Sequence, residues 1–448
     1  MFGGRVIGVA CTLSLLLAAC RPAPPPNVVI VLVDTLRADH LGCYGHPGGL
    51  TPFIDELAGR GVRYARAYAA STWTSPSVAS VFTSRWQSQT GVVNLFSVLP
   101  DGERTLAEVL HERGWATAGF LATRSLPTAS GFGQGFEVWQ QTMDAEQLKG
   151  SGAQLNQRAF AWLDARPRTD RRPVLLYLHY MEPHFPADPR PAQMAAVLAA
   201  RGITAADRPA WNDKMVAMMQ HAATGAELRP QDMEVTRDLY LAEVASLDQS
   251  MRELVDGLTS RGVLRNAVVV LTADHGEEFY EHGSVGHGYN LFDETLQVPL
   301  LILAPGRTPA VVEETVSLLA VAPTILDLLG LPPEPRFEGR ALAGPSGSTP
   351  AYAELLSTAR GQEPVQDRAV VDGARKLITR PARGEQFYDL ARDPGEHDPD
   401  GLDPTVRAGL RETLDGLRAR AGRDVGTPQR RDIDEAARER LRALGYIK

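Results

Sequence analysis

The chain has 448 residues, 44% hydrophobic and 22% charged, with a formal net charge of -8. This composition supports a large packed core, one main domain and a smaller one, and excludes a disordered chain. The acidic balance offers no basic face, so nucleic acid is excluded as a partner.

The first segment reads as a targeting signal. Arg5 supplies a positive start and Val6 to Ala19 is mostly apolar and small, short of the roughly 20 residues that a membrane span needs. Leu17-Ala18-Ala19-Cys20 resembles the lipobox of bacterial lipoproteins, in which the cysteine becomes the lipid-modified first residue. Residues 1–19 are then a signal peptide, and 20–26, with Arg21-Pro22-Ala23-Pro24-Pro25-Pro26, a stiff tether. The expected location is the bacterial cell envelope, lipid-anchored through Cys20. Arg21 resembles the residue found after the cysteine in lipoproteins of the outer membrane, here on its periplasmic face. Processing would remove Cys11 and acylate Cys20, leaving Cys43 alone, so no internal disulfide is expected.

Strand-like runs then alternate with helical patterns. Asn27–Val33 reads as a strand, Thr51–Arg60 as a helix capped by Thr51 with Pro52 at its first position. Leu106–Arg113 is helical, Ala116–Leu121 strand-like, Gln154–Ala165 helical, and Pro173–Leu178 a strand ending at His179. Residues Pro186–Pro230 carry weak strand signals and read as an insertion over the sheet edge, either a substrate-side lid or a packed surface helix pair. Met233–Arg261 is a long helix with a stripe through Leu239, Val244, Leu247, Met251, Leu254 and Leu258. Ala267–Thr272 and Val298–Ala304 are strands, and Val321–Leu329 is a helix stopping at Gly330. The alternation predicts an α/β fold, a mostly parallel sheet with helices on both faces, over residues 27–343. From 344 the character changes. A Gly/Pro/Ser linker precedes short strands at Arg368–Asp372, Lys376–Thr379 and Gln386–Leu390 and a polar helical tail. Residues 344–448 are thus predicted to form a small antiparallel C-terminal subdomain with that tail.

Two strand ends carry the chemistry. Ala267–Thr272 leads into Asp274-His275, and Asn27–Val33 stops at Asp34. Open α/β sheets place their sites at the C-terminal edge of the strands, so both ends can serve one metal ion. In Thr74-Ser75-Pro76-Ser77, Thr74 is expected at the helix N-cap with Pro76 in the first turn. A hydroxyl there faces free N–H groups and the positive helix end, which binds anions. Coordination would lower its pKa and make it a nucleophile.

Val31-Leu32-Val33-Asp34-Thr35-Leu36-Arg37-Ala38-Asp39-His40-Leu41-Gly42-Cys43-Tyr44-Gly45 resembles the opening of the sulfatase branch of the alkaline phosphatase superfamily. Thr74-Ser75-Pro76-Ser77 stands at its Cys/Ser-x-Pro-Ser-Arg signature, and Thr272-Ala273-Asp274-His275-Gly276-Glu277 at its second metal motif. His179-Tyr180-Met181-Glu182-Pro183-His184-Phe185-Pro186, Gly286-His287-Gly288 and Phe387-Tyr388-Asp389-Leu390-Ala391-Arg392-Asp393-Pro394-Gly395-Glu396 resemble further blocks in the family's order. The resemblance implies an alkaline phosphatase-like fold and one divalent metal on Asp34, Thr74, Asp274 and His275. It implies catalytic roles for Thr74, His184 and His287, with the two histidines on the ester oxyanion or the leaving group; His287 stands where a lysine is common. With His179 they offer an alternative second-metal set, and structural roles remain a third reading. Asn94 matches a polar substrate contact in phosphonate-ester hydrolases of the family, and His179 is placed with it as substrate-binding. Glu277, Glu278, Glu281, Asp293 and Glu294 read as solvated or supporting. Asp39 and His40 read as fixing the first loop.

The departures bear on chemistry. Sulfatases convert the signature Cys or Ser to formylglycine, which Thr74 cannot form. Val78 replaces the signature Arg, Thr35 the second Asp, and His275 the usual Asn. The family's active-site lysine has no obvious match in Thr117–Ser125. A set with fewer carboxylates and an imidazole suits Mn²⁺ or Zn²⁺ better than Ca²⁺. A phosphorylated threonine can be resolved by in-line attack of water, whereas a sulfated one lacks the carbonyl route of formylglycine. The expected activity is therefore hydrolysis of sulfuric or phosphoric esters, with phosphoryl chemistry favoured physically. The substrate is a sulfated or phosphorylated small molecule, glycan or lipid. A non-catalytic relative binding anionic glycans or lipid head groups is the alternative, which retention of Asp34, Asp274 and His275 opposes.

Overall fold

The computed structural model describes residues 24–144, 147–222, 228–342, 349–356, 365–423, 425–432, 435 and 438–439. Its centre is an eight-stranded sheet. In chain order the strands are β1 (Asn27–Val33), β2 (Val62–Tyr68), β3 (Ala116–Leu121), β4 (Val138–Gln141), β5 (Val174–Tyr180), β6 (Ala267–Ala273), β7 (Gln297–Leu303) and β8 (Ala310–Ser317). Their order across the sheet is β8-β2-β7-β6-β1-β5-β3-β4. Every neighbouring pair is parallel except those made by β7, which runs antiparallel to β2 and to β6. The predicted mostly parallel sheet is present.

The helices are α1 (Pro52–Arg60), α2 (Thr74–Thr83), α3 (Leu106–Glu112), α4 (Gly152–Ala165), α5 (Pro191–Leu198), α6 (Arg208–Ala222), α7 (Pro230–Ser260), α8 (Val321–Leu328) and α9 (Pro404–Ala421). Helices α1, α4 and α7 pack together, as do α2, α3 and α8. Val28 to Val33 are at most 2% exposed, which explains why β1 is a continuous β-branched run rather than an alternating one.

In the two larger sheets, four strands escaped the sequence reading. β2 reads Val-Arg-Tyr-Ala-Arg-Ala-Tyr, with residues of low strand propensity, and exists because β7 and β8 pair with both its edges. β4 is a short terminal strand. β8 ends the other edge and carries Glu313 and Glu314, charges that protect a sheet edge. The fourth belongs to the C-terminal subdomain, an antiparallel sheet of β9 (Ala351–Leu355), β10 (Asp367–Asp372), β11 (Arg375–Arg380) and β12 (Gly384–Asp389), in that order. α9 packs on β10 and β11. Most of the predicted linker lies outside the described residues, as do Cys20 and the final helical segment. Beyond α9 the chain returns as a strand, Gln429–Arg430, paired with Ser97–Val98.

The described residues between 186 and 230 hold the two helices α5 and α6. Met194 and Leu198 of α5 pack on Val235 and Leu239 of α7, and α6 contacts the short strand Val285–Gly286. Cys43 is a free, half-buried thiol pushed up to about 12 by burial and by Asp55, hence unreactive.

One buried ion cluster joins the subdomain to the main sheet. Lys376 of β11, 0% exposed, reaches Asp293 at 2.6 Å and Glu396 at 2.8 Å. Removing one partner of such a cluster strands the other charges without water. Lys376→Met is expected to cost about 3–5 kcal/mol in urea unfolding. The double variant Lys376→Met/Glu396→Gln should recover part of that loss. A single variant as stable as the parent would refute the assignment.

Candidate active site

The parallel register delivers the predicted ligands to one edge. Leu32 of β1 pairs with Thr272 of β6 on one side and His179 of β5 on the other, so Asp34 and Asp274 leave adjacent strand tips. α2 brings in Thr74. It is the first helical residue, not the N-cap; Trp73, with extended backbone, takes that position. Ser77 one turn on donates from Oγ to the Asp274 carbonyl at 2.6 Å, which ties the helix to the strand end. Thr74 Oγ1 then lies 3.5 Å from Asp34 Oδ2 and 3.4 Å from His275 Nε2.

The residues fit a metal. Ligand atoms of Asp34, Asp274 and His275 all lie within 4.8 Å of one another, and all three residues are buried. Asp34 Oδ1 and Asp274 Oδ2 are buried without a hydrogen-bond partner, a costly arrangement for carboxylates unless a cation serves them. His275 Nδ1 sits 3.0 Å from the Gly276 carbonyl, which fixes Nδ1 as the N–H and turns the Nε2 lone pair toward the cluster. His275 Nε2 stands 3.4 Å from Asp274 Oδ2 and 3.7 Å from Asp34 Oδ1. Tetrahedral ligand atoms about 2.1 Å from a zinc-sized ion lie about 3.4 Å apart, close to the two distances from His275 to the carboxylates.

Charge supports the same conclusion. Burial raises Asp274 to about 6, and the neighbouring Asp34 carboxylate adds to it. Burial works against Asp34 too, but His184, His179 and His275 outweigh it and hold Asp34 well below the usual carboxylate range. A bound cation would relieve both carboxylates. Thr35, in place of a second acid, has φ 59° and donates its N–H to Asp274 Oδ1 at 3.3 Å. A β-branched residue in the left-handed region costs about 1–3 kcal/mol, and here the turn aims the amide at a ligand.

The histidines surround this cluster unequally. His179, 0% exposed, has Nδ1 2.8 Å from the Tyr177 hydroxyl and Nε2 3.3 Å from Asp34 Oδ2. Both nitrogens face protein groups, and Nε2 is directed at Asp34. His287 and His275 have ring centroids 4.4 Å apart, and His184 and His287 5.3 Å apart. Burial lowers His184 to about 4 despite the Asp34 charge, and holds His287 well below the usual imidazole range with help from His275. Both are therefore neutral imidazoles near neutral pH. Asn94 Oδ1 accepts from Phe96 N–H at 3.0 Å and Ser97 Oγ at 3.2 Å, so this acceptor serves its own turn.

Glu277 takes the supporting one of its two expected roles, and Trp73 and Lys149 were given no role in the sequence. Glu277, 2% exposed, holds His287 Nδ1 at 3.0 Å and is pushed up to about 7 by burial. The short hairpin of Glu278–Phe279 and Val285–Gly286 makes this contact by folding residue 287 back onto 277. Trp73 stands edge-on to His287, with centroids 5.5 Å apart. Lys149 donates to the His184 carbonyl at 2.7 Å and to Glu243 at 2.6 Å. No local pattern marks any of them; each is brought in by the fold. Asp39 does fix the first loop, through Arg37 and His40. Glu277→Gln keeps the volume but changes what His287 Nδ1 faces, and is expected to lower kcat about 10–100-fold with metal affinity unchanged. An unaltered kcat would show that Glu277 is only structural.

The chain matches the family model described as Sulfatase over residues 26–331. It is 24% identical to the Delta 4,5-hexuronate-2-O-sulfatase of Bacteroides thetaiotaomicron, over 97% of this chain and 96% of that protein. Among solved structures, a 2-O GAG sulfatase superposes with TM-score 0.72 at 21% identity, covering 94% of this chain and 96% of the other. The phosphonate monoester hydrolase of Agrobacterium radiobacter superposes with TM-score 0.69 at 21% identity, covering 91% and 100%.

Proposed function

The chain belongs to the sulfatase family and is an ester hydrolase of that class, and from this premise we propose that Thr74 is its nucleophile and that it prefers phosphorus esters to sulfate esters. One observation carries the reading: a threonine hydroxyl, not a residue able to become an aldehyde, lies 3.4–3.5 Å from two of the metal-type ligands. A divalent ion held by Asp34, Asp274, His275 and Thr74 would lower the hydroxyl pKa and neutralise charge on the ester. The imidazole and the limited number of carboxylates favour Mn²⁺ or Zn²⁺ over Ca²⁺.

Thr74 passes its hydroxyl proton to His184 or His287, its Oγ attacks phosphorus in line, the bond to the alcohol breaks, and the departing alkoxide takes that proton from the imidazole. Water then displaces Thr74 from the phosphoryl group, giving a proton to the same imidazole, which passes it to the departing Thr74 oxygen. His179 and Tyr177 hold Asp34 in place, and Glu277 does the same for His287. Likeness to both glycan sulfatases and a phosphonate hydrolase supports an anionic ester of a small molecule, glycan or lipid. We place the protein in the bacterial envelope, at the periplasmic face of the outer membrane, anchored through a lipidated Cys20, on the strength of the Leu17-Ala18-Ala19-Cys20 segment and its proline tether.

The test is an assay of aryl sulfate, phosphate monoester, phosphodiester and phosphonate monoester substrates with Mn²⁺, Zn²⁺, Mg²⁺ or Ca²⁺. Turnover of phosphorus esters is expected; turnover of sulfate alone would overturn the preference. Metal binding without turnover of any ester would favour the binding-only alternative.

A further inference from the structure

Beside His184 lies a cleft of about 450 Å³, within the size range of ligand pockets. We propose that it receives the alcohol portion of the ester, and that it fits a neutral sugar or polyol bearing a single anionic ester group. The inference rests on the reading of the metal cluster as an ester-hydrolysing site, and names the substrate class of that site.

Position comes first. Lys149 lines the cleft and donates to the His184 carbonyl; Phe185, the next residue, forms another wall. The opposite wall is α6, whose Arg208, Asn212 and Val216 recur at four-residue spacing and so share one face. Asn212 locks the two walls together through both its polar atoms, at 2.9 and 3.0 Å from the Ala187 N–H and carbonyl. Farther along α6, a Cβ on Gly286 would come within 3.2 Å of Met219 Cε, so the helix extends from the cleft to the His287 loop. The cleft thus adjoins His184 through Lys149 and Phe185, and α6 runs from it to the loop that carries His287.

Charge then selects the occupant. Lys149 is paired with Glu243 at 2.6 Å and Arg208 with Asp188, while Asp213 adds a further carboxylate to the lining. Each cation is matched, so the cleft has no surplus positive charge for a second sulfate or phosphate. Polar groups beside Phe185, Pro186 and Val216 suit hydroxyls arranged around an apolar ring face.

The experiment is calorimetric binding to the metal-loaded full chain carrying Thr74→Ala, which removes turnover. Probes are inorganic sulfate, inorganic phosphate, glucose 6-sulfate, glucose 6-phosphate and glucosamine 2-N,6-O-disulfate. The glucose esters should bind at least tenfold more tightly than the inorganic anions. Adding Val216→Trp, which fills the cleft, should erase that gain without changing the inorganic anions. Asp213→Lys, which supplies a cation, should improve the disulfate selectively. Inorganic anion binding with no gain from glucose, or a disulfate preferred by the unmodified cleft, would overturn the cleft and leave the metal-site reading intact. No binding by any probe would overturn both.

Discussion

Thr74→Ala is expected to lower turnover of the best phosphorus ester at least about 10⁴-fold, the scale seen when a nucleophile is deleted, while the metal stays bound. Asp34, Asp274 and His275 form a buried ligand group without Thr74. Thr74→Ser keeps the hydroxyl and should stay within about tenfold of the parent, because α2 is fixed by Ser77 rather than by the Thr74 methyl. The two variants together separate loss of the nucleophile from disturbance of the helix. Full activity of Thr74→Ala in a metal-replete preparation would sink the assignment. Residual activity is expected from the ion and the two histidines acting on the ester with water as the attacking group.

The second large effect is on metal binding. At a hundredfold excess over its dissociation constant, Mn²⁺ or Zn²⁺ should stabilise the protein by about 2.7 kcal/mol, read as a rise in Tm. Ca²⁺ should do less, because it prefers more oxygen ligands than this site provides. His275→Ala leaves only oxygen donors and should weaken Zn²⁺ binding about 100-fold or more, with a much smaller loss for Ca²⁺. The contrast between the two ions identifies a direct ligand, since general destabilisation would weaken both equally. An unchanged Zn²⁺ titration would remove His275 from the coordination set.

Much of this was legible in the residues, for physical reasons that differ by element. β1 and β6 announce themselves because a central parallel strand is apolar on both faces, and the residues that break the run are the ligands. β2 was invisible because Arg63 and Arg66 interrupt its pattern, and its pairing partners lie more than 200 residues away in sequence. The Thr74 position was legible to within one residue, since cap and first turn share the same residue preferences. The partnership of Glu277 with His287 was not, because a glutamate after Asp-His-Gly looks solvated until a hairpin buries it. Lys149 was not singled out, because it lies in a loop between β4 and α4 and meets the His184 carbonyl only through the fold.

The central place of β1 has a further consequence. It is hydrogen-bonded to β5 and β6 along its length, so Asp34, Asp274 and His179 all sit on strands that open only when the middle of the sheet opens. Such segments exchange their amides at the slow, global limit. Small zinc domains assemble their ligands only as they fold around the ion. Here Asp34 and Asp274 follow central strands whose backbone pairing involves no ligand atom, so loss of the ion is expected to leave the middle of the sheet paired.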